Sequence, residues 1–251
     1  LTGEDWAAAW ELHHSPSARV SQRVLRALPS SPRCGMCGAP FAGLGRAIVG
    51  PLGYRPSRKN PTICSTCVEA SPPGGITAQT GILFADLRGF TTRFEGASPL
   101  EASAVLNRFY ACAEDVLFPE AIIDKLIGDE VMALFIPGLA GTDYRRKAAL
   151  AAIELAATVE DVPIGIAASA GIAFVGNVGS GTVLDFTALG DAVNTAARLQ
   201  SEAAPGEVVL LAEVYDLVAA EHPGASRKRV EVRGRDAPVD IAVLACGRFA
   251  S

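Results

Sequence analysis

Two aspartates in this chain of 251 residues stand where they could bind divalent cations. Asp86 ends an apolar run and precedes a glycine-containing turn, within LFADLRGFT at residues 83–91. Asp129 lies in a hairpin-like segment, DKLIGDEVMA at residues 124–133. Either aspartate alone could be an ordinary turn residue. If the two flanking strands are neighbours, however, the carboxylates meet at one end of a sheet, where they could hold two Mg²⁺ ions about 3.5–4 Å apart for phosphoryl transfer.

A polar pair is predicted on one helix. Within LDFTALGDAVNTAARL at residues 184–199, Asn194 and Arg198 are four residues apart and therefore share a helix face. An amide and a guanidinium that project together can orient a substrate and stabilise developing negative charge. The alternative is a surface hydrogen bond without a function.

The apolar patterning predicts an α+β fold that positions these residues. After the linker-like run SPPGG at residues 71–75, we predict strands at 82–85, 121–127, 131–135 and 163–178 and helices at 100–117 and 144–158. This β-α-β-β-α-β order is the ferredoxin-like arrangement. A helix at 191–202 and strands at 207–211 and 229–244 follow.

Two domains are predicted, with the boundary at the linker-like run. Residues 1–75 would contain a helix over 2–28, interrupted near Pro16, and a small cysteine-rich module. Residues 76–251 would form the larger α+β domain.

Four cysteines form two CxxC pairs separated by 26 residues, namely Cys34, Cys37, Cys64 and Cys67. In a small segment with few core-forming residues, this pattern predicts a tetrahedral metal site. We favour Zn²⁺, with an iron–sulfur cluster and redox-active thiols as the alternatives, because four cysteines suit either metal. The module could be a metal- or redox-responsive regulatory input, or a passive structural clip.

The segments around the aspartates and the polar helix resemble motifs of class III adenylate and guanylate cyclases. GIAFVGNVG at residues 171–179 resembles a fourth motif, and all four stand in family order over most of residues 80–245. The resemblance implies a palm-like, ferredoxin-related catalytic domain. It also implies conversion of a nucleoside triphosphate to a cyclic nucleotide and pyrophosphate, with two Mg²⁺ or Mn²⁺ ions in each active site.

The resemblance assigns metal and phosphate binding to the first two motifs. Asp86 and Asp129 would be the metal ligands. Backbone amides of the turn that contains Gly89 and Phe90 would bind phosphates.

The helix and a downstream loop would complete the site. Asn194 would position the ribose, and Arg198 would stabilise charge on the α-phosphate. Arg233 stands where the family usually has a lysine for the terminal phosphates, and a guanidinium can replace it because it binds phosphate in bidentate fashion.

Lys125 and Thr187 match the two base-selecting positions of the family. Lys125 only donates hydrogen bonds, so it can serve N1 of adenine but not N1 of guanine, which carries a hydrogen. Thr187 could accept from the adenine amino group. The pair predicts ATP as substrate and cyclic AMP as product. Because this comparison concerns only purines, a pyrimidine nucleotide stays an alternative.

The family builds each active site from two subunits. One subunit supplies the aspartates and the other supplies the base-selecting pair, the asparagine and the arginine. This chain contains both sets, which predicts a C₂ homodimer with two equivalent sites.

Composition and charge exclude several kinds of partner. Residues 1–80 carry eight basic and four acidic side chains, a net charge of +4, which leaves −9 for the rest of a chain whose total is −5. An acidic catalytic half does not suit nucleic acid, which requires clustered positive charge. No apolar run reaches the roughly 18–20 uncharged residues that span a bilayer, and no signal peptide is visible. We expect a cytoplasmic protein without a membrane span. Because the first residue is Leu1, further residues could precede it.

Three other functions stay open. A guanylate cyclase is opposed by Lys125. A diguanylate cyclase would place its signature on the same hairpin, but residues 127–131 lack the second glycine and the aromatic residue of that signature. A non-catalytic signalling module with a decayed cyclase domain is opposed by the presence of both aspartates, the asparagine and the arginine.

Overall fold

The computed structural model describes residues 16–29, 31–68, 74–96, 98–118, 120–180, 183–232 and 237–250. Residue contacts divide the chain into two compact units. The first comprises the described residues up to Ala78 together with Ala173–Leu189, and the second comprises Gln79–Ile172 and the described residues from Gly190 onward. The domain boundary expected after residue 75 stays a prediction.

The elements follow one another in this order: α1 (Pro16–Ala27), α2 (Gly43–Val49), a 3₁₀ turn (Gly50–Leu52), α3 (Ser65–Val68), β1 (Gly74–Leu87), α4 (Phe90–Phe94), α5 (Pro99–Leu117), β2 (Ile122–Ile127), β3 (Glu130–Phe135), α6 (Pro137–Ala140), α7 (Tyr144–Thr158), β4 (Ile164–Ser180), β5 (Val183–Leu189), α8 (Asp191–Glu202), β6 (Glu207–Leu211), α9 (Ala212–Tyr215), β7 (Ser226–Val230) and β8 (Val239–Ala245). The first part of the predicted helix 2–28 lies outside the described residues. Its second part begins at Pro16, a residue that suits the first turn of a helix because its missing N–H needs no partner there.

The strands form a mixed sheet in the order β2-β3-β1-β4-β6-β8-β7, and β5 pairs with the second half of β4. β3 runs antiparallel to both β1 and β2, and β4 runs parallel to β6. The first four strands therefore have the predicted ferredoxin-like order, and the α+β fold class is confirmed.

The core of the second unit lies between this sheet and its helices. α5 packs against β2 and β3, whereas α7 packs against β3 and β6. Large side chains such as Leu83, Phe135 and Leu155 are fully buried there, and each such side chain contributes about 1.5–3 kcal/mol through burial. The buried face of α7 consists largely of alanines, and such small side chains allow the helix to pack close to the sheet.

Among the described helices, none combines the length and apolar character needed to cross a bilayer.

Candidate active site and cysteine centre

The two predicted metal ligands lie at the same end of the sheet. β1 and β3 are antiparallel neighbours, and their register places Asp86 opposite Glu130. Asp129 precedes Glu130 in the β2–β3 turn, where Gly128 adopts a left-handed conformation with φ of 64°. The Leu87 N–H donates to the Asp129 carbonyl at 3.2 Å and thereby fastens the turn to β1. The strand pairing proposed from the sequence is therefore present.

This end of the sheet disfavours negative charge. Burial raises the pKa of the Asp86 carboxyl, the Arg88 guanidinium lowers it, and Asp129 raises it again. Burial also raises the pKa of Glu130, and the charges of Asp86 and Asp129 add to that shift. Close carboxylates with raised pKa values suit a bound cation, because positive charge would offset both the burial and the mutual repulsion.

Arg88 and Gln200 support Asp86, and neither contact was predicted from the sequence. Arg88 Nη1 lies 3.4 Å from Asp86 Oδ1, and its Nη2 donates to the Gln200 carbonyl. Gln200 is buried, its Nε2 donates to the Gly165 carbonyl at 3.3 Å, and its side chain also lowers the pKa of Asp86 by hydrogen bonding. The end of β1 that carries Asp86 is thus tied to α8. The sequence signal was the position of Arg88 within the aspartate motif.

The polar pair lies on α8 as predicted. α8 begins directly after Gly190, and the Asn194 N–H donates to the Gly190 carbonyl at 3.2 Å in the first turn. Asn194 is exposed and Arg198 is half-buried. Both side chains are therefore on the part of the helix that a ligand could reach, and their catalytic roles stay predictions.

The phosphate-binding candidates lie just after β1. Gly89 has a φ of 68° and precedes α4, which begins at Phe90. Arg233 lies outside the described residues.

The base-selecting candidates lie on two different strands. Lys125 follows a register shift in β2, and its Nζ lies 3.6 Å from the buried carboxylate of Asp124. Thr187 lies on β5 opposite Gly176 and is buried, and its hydroxyl donates to the Ala188 carbonyl at 3.4 Å. A threonine hydroxyl can act both as a donor and as an acceptor.

A family model of the adenylate and guanylate cyclase catalytic domain matches residues 76–244. The chain belongs to this family. An adenylate cyclase of Anabaena cylindrica is 32% identical over 184 residues, covering 66% of this chain and 36% of that protein. An uncharacterized protein of Mycobacterium tuberculosis (strain ATCC 25618 / H37Rv) is 30% identical over 183 residues, covering 69% of this chain and 34% of that protein. The chain thus spans about a third of the length of these curated relatives.

Solved structures of cyclases have the same fold. The guanylyl cyclase Cya2 matches with a TM-score of 0.62 and 26% identity, covering 70% of this chain and 96% of that chain. The adenylyl cyclase CyaB from P. aeruginosa matches with a TM-score of 0.61 and 26% identity, covering 70% and 97%. Because a guanylyl and an adenylyl cyclase match equally well, the fold of this cyclase domain does not decide between ATP and GTP.

The four cysteines of the CxxC pairs converge in the first unit of this cyclase-family chain. Their Sγ atoms all lie within 4.8 Å of one another. Three of the separations are 4.0 Å for Cys34–Cys67, 3.6 Å for Cys37–Cys64 and 3.4 Å for Cys64–Cys67. Four thiolates around one zinc ion at about 2.3 Å would be about 3.8 Å apart. The spacing therefore fits one metal ion, whereas a cluster with several irons and bridging sulfides needs more widely spaced thiolates.

Backbone N–H groups point at one of these sulfurs. The N–H groups of Cys37 and Cys64 lie 3.5 and 3.2 Å from Cys34 Sγ. Hydrogen bonding from the other three cysteines, led by Cys37, lowers the pKa of the Cys34 thiol, whereas hydrogen bonding raises the pKa of Cys37 and Cys67. Thiolate character in the cluster is what a metal ion requires.

Proposed function

We propose that this chain is an adenylate cyclase that converts ATP to 3′,5′-cyclic AMP and pyrophosphate at a homodimer interface. One observation carries the proposal: Asp86 and Asp129 converge at one end of the sheet in a cyclase-family domain. The rest of the proposal assigns roles to the side chains around that acidic end.

The acidic end suits two hard cations, Mg²⁺ or Mn²⁺. Carboxylate oxygens are the ligands that such ions prefer, and the raised pKa values of Asp86 and Glu130 fit a site completed by positive charge. When bound, the ions would lower the pKa of the ribose 3′-hydroxyl and neutralise the triphosphate. Asp86 and Asp129 would hold them. Arg88 would keep the Asp86 carboxylate oriented through its ion pair.

The polar helix would act on the nucleotide. Asn194 would hold the ribose so that its 3′-oxygen is aligned with the α-phosphorus. Arg198 would place its guanidinium where negative charge grows on the α-phosphate, a stabilisation typically worth about 3–4 kcal/mol. The amides near Gly89 and Phe90 would bind phosphate oxygens, and Arg233 would bind the terminal phosphates. Each of these groups would bind or orient the substrate without forming a covalent bond to it.

ATP is the proposed substrate because of the two base-selecting residues. Lys125 would donate to adenine N1, and the Thr187 hydroxyl would accept from the exocyclic amine. A guanylate cyclase is the second candidate, since a guanylyl cyclase structure is as similar to this chain as an adenylyl cyclase structure.

A homodimer is proposed because one chain carries both halves of the family's shared site. Aspartates from one subunit would act with Asn194 and Arg198 from the other, and the two-fold axis would generate two equivalent sites. The proposed location is the cytoplasm, where ATP is present and thiols are kept reduced.

Zn²⁺ is the proposed occupant of the cysteine centre. The spacing of the four sulfurs fits a single tetrahedral ion, and the iron–sulfur alternative is the less favoured of the two. Metal analysis of the purified chain together with its absorption spectrum separates colourless zinc from coloured iron.

The test of the proposed activity is a comparison of four nucleotides. The chain is incubated with ATP, GTP, CTP or UTP and Mg²⁺ or Mn²⁺, and the cyclic products are separated by mass. We expect cyclic AMP as the main product. Lys125→Glu should lower kcat/KM for ATP by at least about tenfold and raise the share of GTP turnover, because the donor to adenine N1 becomes an acceptor.

Lys228→Glu on β7 is the matched control, since it makes the same charge change at an exposed position. It should leave the ratio of ATP to GTP turnover unchanged. Cyclic GMP or a cyclic pyrimidine nucleotide as the main wild-type product would contradict the proposed specificity.

A further inference from the structure

The cysteine module and the β4–β5 hairpin belong to the same compact unit and are joined by a lysine. Lys59 Nζ donates to Asp185 Oδ1 at 2.8 Å and to the Phe186 carbonyl at 2.7 Å. The Lys59 side chain is 19% exposed, so this contact is partly shielded from water. Its two acceptors immediately precede Thr187 on β5. The lysine therefore fixes both a side chain and the backbone of the strand that carries a proposed base-selecting residue.

A second contact reaches the same place from the other strand of the hairpin. Asn177 of β4 is buried, and its Nδ2 donates to the Val68 carbonyl at 3.4 Å. Val68 directly follows Cys67, the last cysteine of the cluster. Asn177 is also the cross-strand partner of Phe186. The module thus contacts both strands at one cross-strand pair.

The chain that leaves the module also packs on the hairpin. The backbone at Gly74 and Gly75 lies so close to Gly176 that a Cβ added at Gly176 would collide with the Gly74 carbonyl oxygen. Gly176 is the cross-strand partner of Thr187. Only glycine permits this approach, which places backbone of the linker directly beside the pair that contains Thr187.

The loop that carries Lys59 is closed at its base by the cysteine centre. The Ser57 N–H donates to the Ile63 carbonyl at 2.9 Å, and the Ser65 N–H donates to the Arg55 carbonyl at 2.8 Å. Cys64 lies between these two bonds and forms an isolated bridge with Pro56. Because the segment is small and the cysteines lie at the base of the loop, a bound metal would add to the stability of this loop.

We infer that metal bound by the four cysteines holds β5 in position through Lys59 and Asn177, so that metal loading controls base selection by Thr187. The inference rests on the proposed adenylate cyclase function and adds regulation to it. If the metal stabilised only the cysteine module itself, removing the metal would have no effect on β5.

The test is hydrogen exchange of the full chain, which needs no nucleotide. The zinc-loaded chain is compared with the same chain after zinc removal by a chelator and with Lys59→Met. In both altered samples the amides of residues 183–189 should exchange about tenfold faster or more, the factor expected when a charge-assisted hydrogen bond is lost. The amides of β7 and β8 should be unchanged, and added Zn²⁺ should restore protection in the chelated wild type.

A second readout connects the strand to substrate choice. Lys59→Met should still bind one metal ion per chain, but its ratio of kcat/KM for ATP to kcat/KM for GTP should fall about tenfold. Asp185→Asn removes the ion pair but keeps the bond to the Phe186 carbonyl, so its effect should be smaller. Lys228→Met serves as the matched control and should behave like the wild type.

Three results would overturn the inference. The first two are unchanged hydrogen exchange of residues 183–189 after zinc removal and unchanged exchange in Lys59→Met. The third is a gain of cyclase activity on zinc removal, which would show that the metal-loaded module inhibits the enzyme. Failure of the proposed function is a separate outcome. If the wild type makes no cyclic AMP but hydrogen exchange of β5 still depends on zinc, the adenylate cyclase assignment is wrong, whereas the structural coupling between the cysteine centre and β5 is supported.

Discussion

At the residue scale, the surroundings of Asp86 disfavour its ionised form. Its pKa is raised mainly by burial, and Arg88 offsets only part of that effect. For an aspartate whose pKa is higher in the folded than in the unfolded chain, the stabilising contribution is fully present below the unfolded value, about 3.9, and is lost as pH rises through the folded value. Ionisation of Asp86 therefore lowers the stability of the chain as pH rises, unless a cation binds.

This leads to a prediction for Asp86→Asn. Without divalent metal at pH 7.5, the variant should melt a few degrees above the wild type, since about 1 kcal/mol shifts the melting temperature of a chain of this size by roughly 2–4 °C. Mn²⁺ should raise the melting temperature of the wild type but not of the variant. The Mn²⁺ affinity of the wild type should fall as pH decreases toward the raised pKa, because protons compete for Asp86.

Asp115→Asn on α5 is the control, since it removes an exposed carboxylate from a helix that carries neither proposed metal ligand. It should leave the Mn²⁺ response intact. A Mn²⁺-induced shift that survives in Asp86→Asn would contradict the assignment of Asp86 as a metal ligand.

Residue patterns predicted the aspartate pair because a strand end and a hairpin turn have recognisable composition. They did not predict the contacts of Arg88, Gln200 and Lys59. Arg88 reaches a carbonyl 112 positions away and Lys59 reaches a carboxylate 126 positions away. Such contacts depend on how strands and helices pack, which local spacing does not encode.

At the scale of elements, the β2–β3 turn positions Asp129. Gly128 has a φ of 64°, and its carbonyl accepts a hydrogen bond from the Tyr110 hydroxyl on α5. A residue with a Cβ is strained in this left-handed region. Hydrogen bonds from Tyr110 and from the Leu87 N–H therefore hold the turn, and its backbone conformation at residue 128 favours glycine.

We predict that Gly128→Ala destabilises the chain by about 1 kcal/mol and weakens Mn²⁺ binding several-fold, because the turn shifts Asp129. Gly224→Ala is the matched control. Gly224 also has a positive φ, 96°, and open space around its Cβ position, but it precedes β7. Calorimetry and Mn²⁺ titration should give similar stability losses for both variants and a loss of affinity for Gly128→Ala alone. Equal Mn²⁺ affinities would show that the turn does not position a ligand.

Several elements agree closely with their sequence predictions, and others differ for identifiable reasons. α8 and β6 have the predicted bounds because a glycine precedes each of them and sets a sharp start. The predicted final strand 229–244 is two strands, β7 and β8, separated by a segment that contains Gly234 and Pro238. β1 begins at Gly74, well before the apolar run that indicated it, because backbone pairing does not require apolar side chains.

At the scale of the whole molecule, the sequence left the metal of the cysteine centre open between zinc and an iron–sulfur cluster. The spacing of the sulfurs, which only the folded chain provides, favours a single ion. Local sequence patterns also did not predict that the cysteine module shares a compact unit with residues 173–189. That association depends on contacts between segments more than 100 residues apart.

Mixing inactive variants tests most directly whether two copies of the chain share each proposed two-metal active site. Asp86→Ala and Arg198→Ala are each prepared, combined after mild dissociation, and assayed for cyclic AMP from ATP. Randomly mixed dimers should recover about a quarter of wild-type activity, because half of the dimers are mixed and each has one intact site. A mixture of Asp86→Ala with Asp129→Ala should stay inactive, since both lesions lie in the same half of the site. Absence of recovery in the first mixture, with both variants folded and dimeric, would contradict the shared site.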